Sequence, residues 1–183
     1  GTMGYVLAMQ ELALQLDDDH VQIFLPVGSC GTLAGVLLGS AVFLPNAEIY
    51  GISVSRTKEN IISRTVDLAK ATAEMLCQPA HLCQKQFHVY DCYHEEYAKH
   101  IKIARDAADE CAMLEGLIVD QIYTGKAMAG LFDLARKGVL RRDHPVIFLH
   151  TVGMPEIFAE TMKYGDYPGC KKFTPEEVRE MKK

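Results

Sequence analysis

Val21-Gln22-Ile23-Phe24-Leu25-Pro26-Val27-Gly28-Ser29-Cys30-Gly31-Thr32-Leu33-Ala34-Gly35-Val36 runs an apolar segment into a small-residue loop and on into a second apolar segment. The first part reads as a buried strand, with Pro26 marking its approach to the loop. Thr32 to Leu44 reads as a nearly all-apolar helix with Gly35 and Gly39 four apart. That composition implies close packing on both sides, as in a helix laid against a sheet. Gly28 to Thr32 therefore opens a helix. Its backbone N–H groups and the positive helix end converge on one point, which suits an anion and most often a phosphate. No Lys-Ser/Thr pair follows the glycines, so this is not a P-loop, and Gly28, Gly31 and Gly35 lack dinucleotide spacing. On local pattern alone, a tight turn with glycines used only for packing fits equally well.

The neighbouring segments repeat the strand–helix alternation. Val6 to Leu16 carries apolar residues at helical spacing. Glu48 to Val54 is a second strand, and Thr57 with Asn60 starts a helix running to about Leu76. Phe87 to Tyr90 is a short strand, Glu95 to Leu114 a long amphipathic helix, and Leu117 to Val119 a brief extended piece. Gly125 to Lys137 is a helix closed by Gly138. Pro145 to His150 is a strand that enters a second small-residue turn, Thr151-Val152-Gly153. Thr174-Pro175-Glu176-Glu177 is a helix start. This order predicts a three-layer α/β fold with a mostly parallel sheet. Residues 1–160 form its main region and residues 161–183 an extension with a short helix. Ligands in such sheets bind outside the carboxyl ends of the strands. The turns at Gly28–Thr32 and Thr151–Gly153 are thus predicted to face one pocket.

Bulk properties narrow the class. A net charge of −5 over 183 residues, with no basic cluster, argues against a nucleic-acid surface. No apolar run approaches the roughly 20 residues of a membrane span, and no leader pattern is present, so a cytoplasmic protein is expected. The six cysteines form no C-x-x-C pair and are expected as free thiols. Cys77, His81 and Cys83, and likewise His88, Cys92 and His94, lack the spacing of a structural zinc site, so no metal is predicted. Tyr123, just before a helix, suits stacking on a ring, acting as an acid, or capping the core. Lys126 suits a Schiff base or neutralises a nearby acid.

Taken in order, Gly28 to Gly35, Ile52-Ser53-Val54-Ser55-Arg56, Ile122-Tyr123-Thr124-Gly125-Lys126-Ala127-Met128-Ala129-Gly130-Leu131 and Phe148-Leu149-His150-Thr151-Val152-Gly153 form a series. Over roughly residues 1–158 it resembles the D-cysteine desulfhydrase and 1-aminocyclopropane-1-carboxylate deaminase family of pyridoxal-phosphate enzymes. Those have the tryptophan-synthase-β-like fold, fold type II, and the chain would supply most of its large domain. Thr124 favours the desulfhydrase branch, since the deaminase branch has Glu there. The resemblance implies pyridoxal 5'-phosphate as cofactor, its phosphate cradled by Gly28, Ser29, Cys30, Gly31 and Thr32. It adds Thr124 at the cofactor and Thr151 near the pyridine nitrogen. Tyr123 would assist proton transfer and Tyr97 would be a second active-site tyrosine. Lys126 matches a family lysine other than the Schiff-base one.

The implied activity is β-elimination on a small amino acid, giving pyruvate, ammonia and sulfide. Ring-opening deamination or ammonia loss from a diamino acid are alternatives within the family. A non-catalytic binding or interaction module that keeps the phosphate loop is an alternative of another class. A homodimer is implied. The family's Asn-Lys-x-Arg-Lys-type segment and Ser-Asn-type substrate loop have no counterpart here, and Gly1-Thr2-Met3-Gly4-Tyr5 matches a mid-sequence helix start. The chain is therefore expected to be a C-terminal half, with the Schiff-base lysine on a missing N-terminal half or partner chain. Alone it is expected to be catalytically silent. Val152 stands where the family has the middle residue of Thr-Gly-Gly.

Overall fold

The computed structural model describes residues 1–79, 85, 87–95, 100–151, 153, 155–158, 174 and 179–180. Its elements are α1 (Thr2–Ala13), β1 (Gln22–Val27), α2 (Gly31–Phe43), β2 (Glu48–Ser53), α3 (Lys58–Met75), β3 (His88–Tyr90), α4 (Lys102–Glu115), α5 (Thr124–Arg136) and β4 (Val146–Phe148). The strands form a four-stranded parallel sheet in the order β3-β2-β1-β4.

β1 is buried at every position because both its faces are covered. Ile23, Leu25 and Val27 join Leu33, Leu37 and Val6 in one core on the α1–α2–α3 side. Phe24 packs with Tyr50, Ile52, Ala127 and Leu134 on the α5 side, and its ring stacks on Tyr50 at 4.5 Å between centroids. A third cluster, with Ala107, Cys111 and Met128, joins α4 to α5. The result is the three-layer α/β arrangement that the strand–helix alternation predicts.

Gly35 and Gly39 make the close contact on one of the two packed sides of α2. A Cβ at Gly35 would overlap the carbonyl oxygen of Thr2 and come within 2.6 Å of Tyr5 Cβ, and one at Gly39 would lie 2.9 Å from Met9 Cβ. The two glycines let α1 close onto α2, while larger residues of α2 face the sheet.

Two boundaries differ from the sequence expectation. α1 begins at Thr2, four residues early, and ends at Ala13. α4 begins at Lys102, not near Glu95, because Ile101 is extended (φ −121°, ψ 145°) and buried. No Pro or Gly signals that break, so tertiary packing overrides helical periodicity there. Leu117–Val119, read as a brief extended piece, belongs to none of the strands among the described residues. The helix expected from Thr174 lies largely outside the described residues, as does most of the 161–183 extension. Thr57 caps α3 as expected, accepting from Asn60 N at 3.4 Å, and Gly138 is left-handed (φ 68°) past α5. No helix among the described residues is long and apolar enough to cross a membrane.

The topology positions the site. From β1 the chain steps through α2 and α3 to β2 and β3 on one side, while β4 joins the other side of β1. The strand order therefore reverses between β1 and β4, and the crevice outside their carboxyl ends is the switch point where such sheets bind ligands. Buried Gln22 fastens that junction at its far end. Its Nε2 donates to the carbonyls of Arg141 and His144 at 2.9 and 3.1 Å, and its Oε1 accepts from Arg141 N at 2.9 Å.

Candidate functional site

At the carboxyl end of β1, Gly28 and Ser29 lead to Cys30, which stands left-handed (φ 71°, ψ −5°) at the N-cap of α2. Helical hydrogen bonding starts at Ala34 N, which donates to Cys30 O at 2.9 Å. The amides of Gly31, Thr32 and Leu33 precede that bond and are not used by the helix. The loop's carbonyls are held from behind. Arg56 Nε donates to Gly28 O at 2.9 Å and Arg64 Nε donates to Ser29 O at 3.0 Å. With those carbonyls engaged, two guanidiniums and the positive end of α2 surround one small loop, which strengthens its preference for an anion. Burial pushes the Cys30 thiol up, against the pull of Arg56 and Arg64, so it stays neutral.

Ser53 keeps Arg56 in place, its hydroxyl donating to Arg56 O at 2.6 Å and accepting from Arg56 N at 2.9 Å. The α5 side is organised by Asp120, which is buried. Its Oδ1 accepts from Ile122 N at 2.8 Å and from Tyr123 N at 2.6 Å. Its Oδ2 accepts from Thr124 N at 2.9 Å and from the Thr124 hydroxyl. Thr124 Oγ1 in turn accepts from Asp120 N at 3.0 Å. The Thr124 hydroxyl proton is thus engaged within the turn, and Thr124 helps to shape the site instead of offering that proton to a ligand. Tyr123, half-buried, stands at the head of α5, held there through its backbone.

The third wall is the turn after β4. Leu149 N donates to Phe24 O at 2.8 Å, which continues the pairing of β4 with β1. The chain then turns at His150, where Thr151 N donates to Leu149 O at 2.9 Å, and Thr151 is half-buried. Gly153 lies so close to Asp120 that a Cβ there would overlap the carboxylate and stand 2.9 Å from Asp120 Cβ. One carboxylate therefore joins the turn after β4 to the head of α5. Lys126, on the first turn of α5, is fully buried, and its Nζ donates to Val54 O at 3.3 Å. Burial lowers its pKa, while the charges of Asp120 and then Glu95 oppose that shift.

The structure thus brings Gly28, Ser29, Cys30, Gly31 and Thr32 into one loop, sets Thr151 in the turn after β4, and places Tyr123 and Thr124 together at the head of α5. Tyr97 lies outside the described residues. Sequence reasoning assigned no role to Asp120, Arg56 or Arg64. Asp120 had a readable signal, an Asp four residues before the Thr that opens a helix, where local side-chain-to-backbone hydrogen bonds are common. Arg64 had none, because its partner is 35 residues away in the chain. Asp18, Asp19 and His20 are the one metal-type cluster among the described residues. They lie in the turn before β1, at the other end of the sheet. The donor set at the carboxyl end fits a phosphorylated, ring-bearing ligand: free amides and flanking cations for the phosphate, a threonine hydroxyl and a tyrosine for the ring.

Residues 1–152 match the family described as "Pyridoxal-phosphate dependent enzyme". A "Putative 1-aminocyclopropane-1-carboxylate deaminase" of Pyrococcus abyssi is 37% identical over 161 residues, covering 86% of this chain and 48% of that protein. A "D-cysteine desulfhydrase" of Salmonella paratyphi C is 35% identical over 165 residues, covering 87% of this chain and 48% of that protein. The chain thus spans about half the length of the curated relatives it matches. Among solved structures, one titled as an ACC deaminase homologue superposes with a TM-score of 0.77 at 35% identity, over 88% of this chain and 48% of the other. A fungal L-serine ammonia-lyase from Rhizomucor miehei, 18% identical with a TM-score of 0.56 over 89% of this chain and 56% of its own, shares the fold.

Proposed function

The chain belongs to the pyridoxal-phosphate dependent enzyme family, and from that premise we propose that it forms the cofactor-cradling part of a lyase or deaminase acting on a small amino acid, most like D-cysteine desulfhydrase. The carrying observation is the loop at the β1–β4 switch point, with its first helical amides unused and its carbonyls held by Arg56 and Arg64. In this reading the amides of Gly28 to Thr32 bind the cofactor phosphate. The Thr151 hydroxyl would be the partner of the pyridine nitrogen. A neutral partner there withdraws less charge than a carboxylate would, which suits elimination.

When bound, the cofactor supplies an electron sink for charge that develops at the substrate Cα. The chain's own part is to orient and to move protons. The Tyr123 phenol is the group assigned to proton transfer on the substrate, and Asp120 fixes where that residue stands. Thr124, where the deaminase branch has a carboxylate, favours β-elimination of sulfide with release of pyruvate and ammonia. The reading includes a homodimer in the cytoplasm and a Schiff-base lysine carried by polypeptide beyond these 183 residues. The relatives named for 1-aminocyclopropane-1-carboxylate deamination favour ring opening as the second reading.

Titrating the 183-residue chain with pyridoxal 5'-phosphate, followed by ligand absorbance and protein fluorescence, tests the cradle. Saturable binding that inorganic phosphate competes away, and that Gly31→Asp abolishes, is expected. Absence of saturable binding refutes the reading. In the full-length protein, sulfide release from D-cysteine should outpace ring opening of 1-aminocyclopropane-1-carboxylate; the reverse order selects the second reading.

A further inference from the structure

A Cβ on Gly31 would stand 3.4 Å from Thr2 Oγ1 and 3.8 Å from Ser29 Oγ. Further along, Gly35 meets Thr2 and Tyr5, and Gly39 meets Val6 and Met9. Contacts that climb both helices together mean that α1 and α2 run parallel, with their first turns side by side. Neither helix has a side-chain cap or an acidic residue in its first turn. By contrast α3 has both, in Thr57 and Glu59. Two positive helix ends therefore lie next to each other uncompensated, an arrangement that an anion at their heads relieves.

The Thr2 hydroxyl is within reach of whatever the loop holds. A Cβ stands about 2.5 Å from the amide nitrogen of its own residue, which puts Thr2 Oγ1 no more than about 6 Å from Gly31 N. Phosphate oxygens are about 2.5 Å apart and each accepts at about 2.8 Å, so one phosphate spans two donors at that separation. Thr2, Gly31 and Thr32 are each partly open to solvent and Ser29 is exposed. Among the described residues no hydrogen bond engages the Thr2 hydroxyl. Building on the cofactor reading above, we propose that Thr2 is a binding residue of the anion site, its hydroxyl donating to the phosphate group that the Gly28–Thr32 loop holds. α1 then contributes to the ligand pocket as well as to the core.

The test measures pyridoxal 5'-phosphate, unphosphorylated pyridoxal and inorganic phosphate on the wild-type chain, Thr2→Val and Thr2→Ser. Val keeps the shape and removes the hydroxyl, whereas Ser keeps the hydroxyl. Thr2→Val should lose about tenfold in affinity for the two phosphate compounds, the effect of one hydrogen bond to a charged acceptor, with Thr2→Ser within about twofold of the wild type. Pyridoxal affinity should stay unchanged throughout. A merely structural threonine would weaken pyridoxal and its phosphate alike or neither, and either result overturns the proposal. Thr2→Asp supplies a second readout that needs no comparison of weak affinities. Its carboxylate would occupy the place of the anion, so it should raise the melting temperature of the ligand-free chain and abolish the further rise that phosphate gives the wild type. A phosphate response left intact in Thr2→Asp overturns the proposal. If the wild type binds neither pyridoxal 5'-phosphate nor phosphate, the cofactor reading and this assignment fall together. If it binds both and Thr2→Val keeps the full phosphate preference, this assignment alone falls.

Discussion

Replacing Asp120 by Ala should be among the most damaging single changes in the described part of the chain. The carboxylate accepts from three backbone amides and one hydroxyl, and it is buried. Each hydrogen bond to a charged acceptor contributes about 1.5–3 kcal/mol, but four that share one carboxylate do not add. Leaving those donors dry sets the loss at about 3–5 kcal/mol. Gly153 supplies an internal control. Gly153→Ala alone drives a methyl into the carboxylate and should cost about 1–3 kcal/mol through overpacking. With Asp120→Ala in place most of the obstruction is gone, leaving only a methyl at 2.9 Å, so the second penalty should shrink by at least half. Urea denaturation of the wild type, both single variants and the double variant, followed by circular dichroism, measures the cycle. Penalties that add to within about 0.5 kcal/mol would show that the turn after β4 does not rest on Asp120. A loss below about 1 kcal/mol for Asp120→Ala would show that the carboxylate does not hold the α5 head.

Two further outcomes are expected. Gly35→Ala should destabilise by about 1–3 kcal/mol in the same denaturation assay, because its methyl would overlap Thr2 O and crowd Tyr5; an unchanged midpoint would mean that α1 does not close onto α2 as described. The Asp19 pKa is lowered, first by the Asn46 side chain and then by Asn46 N–H, at 2.9 and 3.0 Å. A depressed carboxylate contributes stability that is present above about pH 4 and is lost as pH falls through the lower folded-state value. Asn46→Ala should flatten that acid limb in a pH series of urea midpoints, and an identical limb in the variant would contradict it.

The β1–loop–α2 unit was legible because every cue was local: an apolar run, a proline near its end, small residues, then a second apolar run. Thr57 and Gly138 were legible for the same reason, as capping positions with fixed side-chain or backbone chemistry. Parallel order followed from strand–helix alternation, and with it the position of the loop at the carboxyl end of β1. The features that went unread depend on distant partners. Gly35 and Gly39 declared a close approach but not that α1 makes it. Ile101 is extended and buried, which helical periodicity does not reveal. Arg56 and Arg64 carried no signal of their role, which comes from Gly28 and Ser29 carbonyls brought near by the crossover from β1 to β2. Family likeness pointed to the candidate site, while the reasons for its shape had to come from the packing.

The Gln22 clamp has a consequence for the order in which the pocket comes into being. It ties β1 to a segment 119 residues later in the chain, and β4 itself is only three residues long. Closing so large a loop costs chain entropy before its contacts repay it, so a strand this short is expected to dock last and to come loose first. The crevice between β1 and β4 exists only while β4 is docked. A molecule that fills it binds the docked form alone and must stabilise it. Amide hydrogen exchange at Val146 to Leu149 would then serve as a gauge of occupancy for a pocket that those residues need not touch.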